Sequence, residues 1–294
     1  QLNRPMKPAF PALPVSIDVP TASLRGGGRW RAATLTGLLA LAIVGAAIGG
    51  VFRGAEDRFG SLAFSLFGHN ASGQIHIVEM DAASMAAIRR WPWPRAHYAE
   101  LVRRLDAAGV RSITFDVDFS GSADPTGDRA FGAAIAASRA PVALPTFAQG
   151  KGFRDGRQLD SLPIPVLRDQ AHLASVSVRP SLAAIVAGQP GAVGQSFPID
   201  FAIDPATIPR HSFVAIERGA FAPSSLTGKD IIIGATAIEL GDRYPVPRHG
   251  VVPGVIVQAL GAETLADGVP VYGSWAAPLL LATLMALTIM TAPG

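Results

Sequence analysis

From Ala32 to Phe52 the chain runs 21 residues without a charged side chain, bounded by Arg31 and Arg53. A helix rises about 1.5 Å per residue, so about 20 apolar residues cross the hydrocarbon of a bilayer. The alternatives are a signal peptide and a buried core helix, and the run is long for the apolar part of a signal. A second charge-free stretch follows Asp267, with its apolar centre from Trp275 to Met290. Pro278 near its start fits the first turn of a helix. The sequence therefore predicts membrane spans over 32–52 and 273–294, with residues 53–272 held between them.

Orientation follows from the flanks, because Lys and Arg next to a span stay on the cytoplasmic side. Arg25, Arg29 and Arg31 precede the first span, while Arg53 and Arg58 are mixed with Glu56 and Asp57. This places residues 1–31 in the cytoplasm and the region between the spans outside it. Residues 1–24 carry many Pro and small residues and no apolar period, which reads as a disordered tail, and Met6 is a candidate start. The expected location is a bacterial inner membrane, crossed more than once, with the folded region periplasmic. Gly45 and Gly49 stand four apart in the first span, a spacing that lets helices approach closely, so a homodimer is expected.

The net charge of +3 invites a nucleic-acid reading until the charges are placed. Residues 1–31 hold five basic groups and one acid, leaving 20 basic and 21 acidic groups between 53 and 267. The region that folds is not basic, and nucleic-acid binding needs a concentrated basic face. The absence of cysteine excludes disulfides, a Cys-based zinc site and a thiol nucleophile.

Between the spans, short β-rich runs alternate with amphipathic stretches, the pattern of parallel βαβ units. The expected fold is α/β, a mostly parallel sheet with helices on both faces. Ile75–Met80, Ser112–Val117, Val142–Leu144, Phe197–Ile203 and Asp230–Gly234 read as strands. Asp81 reads as the N-cap of a helix through Ile88. Further helices are predicted over about Arg95–Ala108, with Tyr98, Leu101, Val102 and Leu105 on one face, over Gly127–Ser138 and over Pro253–Ala266.

Familiar catalytic motifs fail. Gly228-Lys229 resembles the end of a phosphate-binding loop, but Pro223 stands in place of the first Gly and Asp230 in place of the Ser or Thr. Gly194-Gln195-Ser196 lacks the second Gly of a nucleophile elbow, Pro198 occupying its place. The six histidines are scattered and no cofactor is expected.

Asp116-Val117-Asp118 is the most enzyme-like feature, since carboxylates at i and i+2 face one side of a strand and its C-terminal end is where open α/β sheets bind ligands. The pair could serve a membrane-tethered, metal-dependent hydrolase, or Asp116 could simply cap its loop or meet a nearby base. Trp91-Pro92-Trp93-Pro94-Arg95 offers two aromatic faces and a guanidinium for a planar or anionic ligand. Its structural alternative has the tryptophans as anchors and Arg95 paired with Asp81 or Asp116. Gly234-Ala235-Thr236-Ala237, followed by Gly241-Asp242-Arg243, makes a loop of small residues whose N–H groups could form an anion nest, or which serves close packing alone.

In this order the pieces resemble the second CHASE family, extracellular sensor domains found beside cyclases and histidine kinases in bacterial membrane receptors. The resemblance rests on Ile77-Val78-Glu79-Met80-Asp81 with Ser84, on Trp91-Pro92-Trp93-Pro94-Arg95 and on Phe115-Asp116-Val117-Asp118-Phe119. It continues in Leu226-Thr227-Gly228-Lys229-Asp230 with Ile231-Ile232-Ile233-Gly234-Ala235-Thr236, then Asp242 and Val252-Pro253-Gly254-Val255. One departure stands out. Arg179-Pro180 runs directly into Ser181-Leu182-Ala183, where the family usually shows an Asp-Gly-x-x-Arg turn, so either this member is shortened there or residues are missing.

The resemblance implies an extracytoplasmic sensor that passes a signal to a cytoplasmic cyclase or kinase output. This segment would then not be an enzyme. Its expected partners are an extracytoplasmic ligand or protein and the lipid bilayer. Asp81, Trp93, Arg95, Asp116, Asp118, Thr236 and Asp242 are the expected ligand-binding residues, gathered at the C-terminal edge of the sheet. A scaffold that assembles proteins without a small ligand is the third reading.

Overall fold

The computed structural model describes residues 34, 36–42, 44–45, 64, 66–151, 158–174, 180–189, 196–269, 281–286 and 288, with backbone only for 148–151 and 158–160. The chain divides into two units. The first takes 1–56 and 273–294, and its described residues, in 34–45 and 281–288, are helical. Among the described residues no helix is long and apolar enough to cross a membrane. Most of both expected spans, including Gly49, lies outside the described residues, as do Ser175–Arg179 at the family departure.

The second unit, 57–272, is built on a six-stranded sheet. In chain order its strands are β1 (Ile75–Met80), β2 (Ser112–Asp116), β3 (Val142–Pro145), β4 (His172–Ala174), β5 (Arg210–Ser212) and β6 (Asp230–Ala235). Their spatial order is β4-β3-β2-β6-β1-β5, and every pairing is parallel. Helices are α1 (Ala82–Ile88), α2 (Arg95–Ala107), α3 (Pro125–Ala137), α4 (Pro165–Arg168), α5 (Leu182–Val186), α6 (Phe213–Glu217) and α7 (Gly254–Asp267).

Two helices start on aspartate caps. Asp81 accepts from Ser84 N at 2.8 Å and starts α1, and Asp124 accepts from Thr126 and Gly127 N and starts α3 with Pro125 in its first turn. Gly109, at φ +72°, follows α2 and turns the chain into β2. One sheet face packs Val78, Met80, Ile113, Phe115, Ile231 and Ile233 against Tyr98, Leu105, Phe131 and Phe213 of α2, α3 and α6. The other packs Ile75, Ile77 and Ile232 against Ala183 and Val186 of α5 and Val255, Ala259 and Leu260 of α7. Helices thus cover both faces of a parallel sheet, as the alternating pattern requires. Burying each large apolar side chain stabilises by about 1.5–3 kcal/mol, so these two layers carry the fold.

The expected strand over 197–203 is not there. Residues 196–200 are irregular and only Ile203–Asp204 pairs, in parallel with His69–Asn70. The alternation of Phe197, Ile199 and Phe201 buries one edge of this segment against the α7 layer without any ladder. Asp200 instead closes a turn, its carboxylate accepting from Ala202 N and its N–H donating to Thr264. Two antiparallel pairs flank the sheet, Phe147–Lys151 with Gln158–Ser161 and Arg243–Val246 with Gly250–Pro253.

Candidate functional site at the carboxyl edge of the sheet

The helices that follow β1 and β2 lie on one face and α7, which follows β6, lies on the other. Where neighbouring strands send their helices to opposite faces, an open α/β sheet leaves a crevice at its carboxyl edge. Here that point is the end of β6, flanked on both sides. Gly234 stands in register with Glu79 of β1 and Asp116 of β2, so the two acids face the same side across it.

Gly234 is required by close approach. A Cβ there would lie 2.7 Å from Val255 Cβ and 3.3 Å from Asp116 Cβ, so the start of α7 rests directly on the strand. Gly254 does the same for the loop: a Cβ would come within 2.7 Å of Asp242 Cγ, and Gly254 N donates to the Asp242 carbonyl at 3.0 Å. The Asp242 carboxylate is thereby held against the first turn of α7, where the helix dipole favours negative charge.

Electrostatics concentrate on Asp116. Burial, reinforced by the charge of Asp242, pushes its carboxyl up to about 7. Asp242 in turn raises the Tyr244 phenol, first through its charge. Glu79 is raised by burial against the pull of Arg210, whose Nη1 lies 3.5 Å from Glu79 Oε1. The edge therefore carries a carboxyl that changes charge near neutrality beside a second carboxylate and a phenol.

The seven residues expected to form one pocket are divided between the two faces of the sheet. Asp116 and Asp242 come together. Thr236 follows the same strand end, but its N–H and that of Ala237 both donate to the Met80 carbonyl, so they do not form an anion nest. Asp118 is exposed and accepts from Ser120 N at 2.8 Å, turned onto its own loop. Among the described residues no group of three or more His, Asp or Glu is placed to hold a metal ion. Asp81 caps α1 and also accepts from Ser84 Oγ and Ser212 Oγ.

Trp93 and Arg95 lie inside the α2 and α3 layer. Trp93 is fully buried, with its ring centroid 4.8 Å from Phe213. Trp91 is half exposed and stands edge-on to it at 5.9 Å. Arg95 is 5% exposed and stacks over Phe119 at 4.5 Å. Its Nη2 donates to the Gly121 carbonyl at 3.0 Å and its Nε lies 3.6 Å from Asp128 Oδ1. Its carboxylate partner is Asp128, neither Asp81 nor Asp116, because the side chain turns under the 117–124 loop into the apolar layer. Burial lowers the Arg95 pKa despite Asp128.

Sequence reasoning missed Glu79, Tyr244, Gly254 and Asp128. Gly254, like Gly234, sits inside a segment that carries the family resemblance, but only the closeness of α7 shows why each must be glycine. Asp128 stands within a helix, where nothing in its spacing marks it as a partner of Arg95.

A family model, the CHASE2 domain, matches residues 38–292. No curated protein and no solved structure matches the chain. CHASE2 domains are sensor domains, not catalysts, and are usually the extracellular regions of membrane receptors. The match covers the whole sheet, both helix layers and the carboxyl-edge crevice, and the chain belongs to the CHASE2 family.

Proposed function

We propose that this chain is the sensing half of a bacterial transmembrane receptor. Residues 1–31 form a cytoplasmic tail, 32–52 and 273–294 cross the inner membrane, and 53–272 lie in the periplasm. The output is a cyclase or kinase domain reached through the second span, and the receptor works as a homodimer. What supports this reading is α7: its first turn rests on the Asp116 and Asp242 crevice, and its last residue, Asp267, directly precedes the charge-free stretch. A ligand that displaces the crevice residues acts on the helix that leads out of the domain.

The ligand contacts Asp116 and Asp242, with Asp118 and Thr236 at the rim, through an ammonium or another hydrogen-bond donor. Such a group favours the ionised form of a carboxyl poised near neutrality. Asp81, Trp93 and Arg95 hold the loops that shape the crevice. A signal acts only by its different affinity for two states of the receptor. Asp116→Asn and Asp242→Asn in a full-length receptor should abolish the change in output evoked by an active amine from a periplasmic panel. An undiminished response in both variants overturns this site.

A further inference from the structure

The edge strand β5 is three residues long, and all three of its side chains are tied to β1 and the turn after it by polar groups. Arg210 faces Glu79 at 3.5 Å, and Ser212 Oγ donates to Asp81 Oδ1 at 3.1 Å and lies 3.2 Å from Ser84 Oγ. Between them, His211 Nε2 lies 3.0 Å from His76 Nδ1, with the two rings nearly parallel at 13°. His76 is 6% exposed. No apolar side chain of β5 itself anchors the strand. The next residue, Phe213, is fully buried against Trp93 and Tyr98, so whatever holds β5 also keeps the aromatic layer closed.

We propose that the His76–His211 pair is a proton-operated latch on β5 and α6, closed when one shared N–H bridges the two rings and opened when both imidazoles are protonated. A single bridging proton lets one nitrogen donate and the other accept. With both rings protonated, two N–H groups point at each other across 3.0 Å and two like charges share a mostly buried site.

The surrounding charges do not relieve this. Lys229, from the loop before β6, adds positive charge; its Nζ donates to the Gly73 carbonyl at 2.9 Å and to Gln74 Oε1 at 3.3 Å. Glu79 of β1 is engaged by Arg210, Glu217 of α6 by His97 at 2.5 Å, and Glu100 of α2 by Arg103 and Arg104. On β6 the neighbour in register with His76 is Ile231.

Burial, with His211 and Lys229, lowers His76, and burial lowers His211. Groups lowered in the folded state support the closed form above the ordinary histidine value near 6.5 and lose that support as pH falls below it. The latch is independent of the crevice ligand, but the strand it holds also carries the partners of Glu79 and Asp81.

Hydrogen exchange of the full-length chain in detergent, corrected for intrinsic rates, tests this. Protection of amides 211–217 should fall at least tenfold between pH 7.5 and 5.0, while 112–116 holds. His211→Gln and His76→Gln should each remove that pH dependence. Wild-type protection within twofold at both pH values overturns the latch, as does a fall that survives both substitutions, which would assign it to Glu79 and Arg210. Loss of protection on adding EDTA at pH 7.5 also overturns it, in favour of a metal-bridged pair. If neither variant folds, the histidine C2 protons of the wild type decide. Two coupled steps below pH 6.5 support the latch, and two independent ordinary titrations refute it.

Discussion

Arg95 and Asp128 form a charged pair that the surrounding packing barely tolerates. Their exposures are 5% and 3%, Nε to Oδ1 is 3.6 Å, and Arg95 Nε makes no hydrogen bond. Taking both ions out of water is repaid only when geometry is good and every polar atom is satisfied. Neither condition holds for Arg95. Asp128 is better provided for, with Ser122 Oγ donating at 2.5 Å and Ala123 N at 3.4 Å.

Arg95→Met keeps the aliphatic stem against Phe119 but strands the buried carboxylate. Breaking one partner of a buried pair costs about 3–5 kcal/mol. The bonds from Ser122 and Ala123 put this case near the lower end, about 3 kcal/mol, which in a domain of this size lowers the melting temperature by roughly 6–12 °C. Arg95→Met with Asp128→Leu removes both charges and should restore the wild-type melting temperature or exceed it, since apolar replacement of such pairs is neutral or gains about 1–4 kcal/mol. Near-ultraviolet circular dichroism melts of the full chain in detergent follow the aromatic layer directly. A double variant no more stable than Arg95→Met, or an Arg95→Met protein that melts with the wild type, would refute the view that this pair is a strained buried ion pair.

Other expectations follow from the same contacts. Asp116 is raised in the folded state, so the stability it gives is complete below its ordinary value and is lost as pH rises through about 7; Asp116→Asn should flatten the pH dependence of melting between 5 and 8, and a profile parallel to the wild type would count against its burial. Gly234→Ala drives a Cβ into Val255 and should cost about 1–3 kcal/mol by overpacking, read as a lower denaturant midpoint. Trp93→Ala should cost about 3–5 kcal/mol, while Trp93→Phe, which leaves a smaller cavity and removes the same unpartnered indole N–H, should cost less. With no native cysteine, Ser23→Cys and Ser161→Cys test the topology: an impermeant thiol reagent should label only the second in cells with a permeabilised outer membrane, and labelling of the first would overturn the receptor orientation.

The central elements were legible because they are long enough to show a period. β1, β2 and β6 and helices α1, α2, α3 and α7 are found within a few residues of their sequence-based positions. β4 and β5 were not, since three residues carry no period and Arg210-His211-Ser212 has no apolar member. The false strand over 197–203 has the opposite cause: alternate burial was real, but Pro198 and the Asp200 turn prevented pairing. At the site, sequence order placed acids correctly at strand ends, yet it could not tell which face each would take. Asp116 faces α7 while Arg95 turns into the opposite layer onto Asp128, so the structural alternative that paired Arg95 with Asp81 or Asp116 is not what forms.

The placing of β6 between β1 and β2 also bears on how the protein is made. The central strand of the sheet is the last of the six to be synthesised, about 150 residues after β1 ends. At about 5–20 residues per second, β1 waits roughly 8–30 s for β6, and the gap between β1 and β2 stays unfilled for roughly 6–23 s after β2 is made. During that time Ile75, Ile77, Ile113 and Phe115 lack the neighbour that completes their layers, and their edges are free to pair with other chains. A nascent chain halted before Asp230 therefore exposes two unpaired edges in the middle of the sheet, and should aggregate more readily than one halted after Ala235.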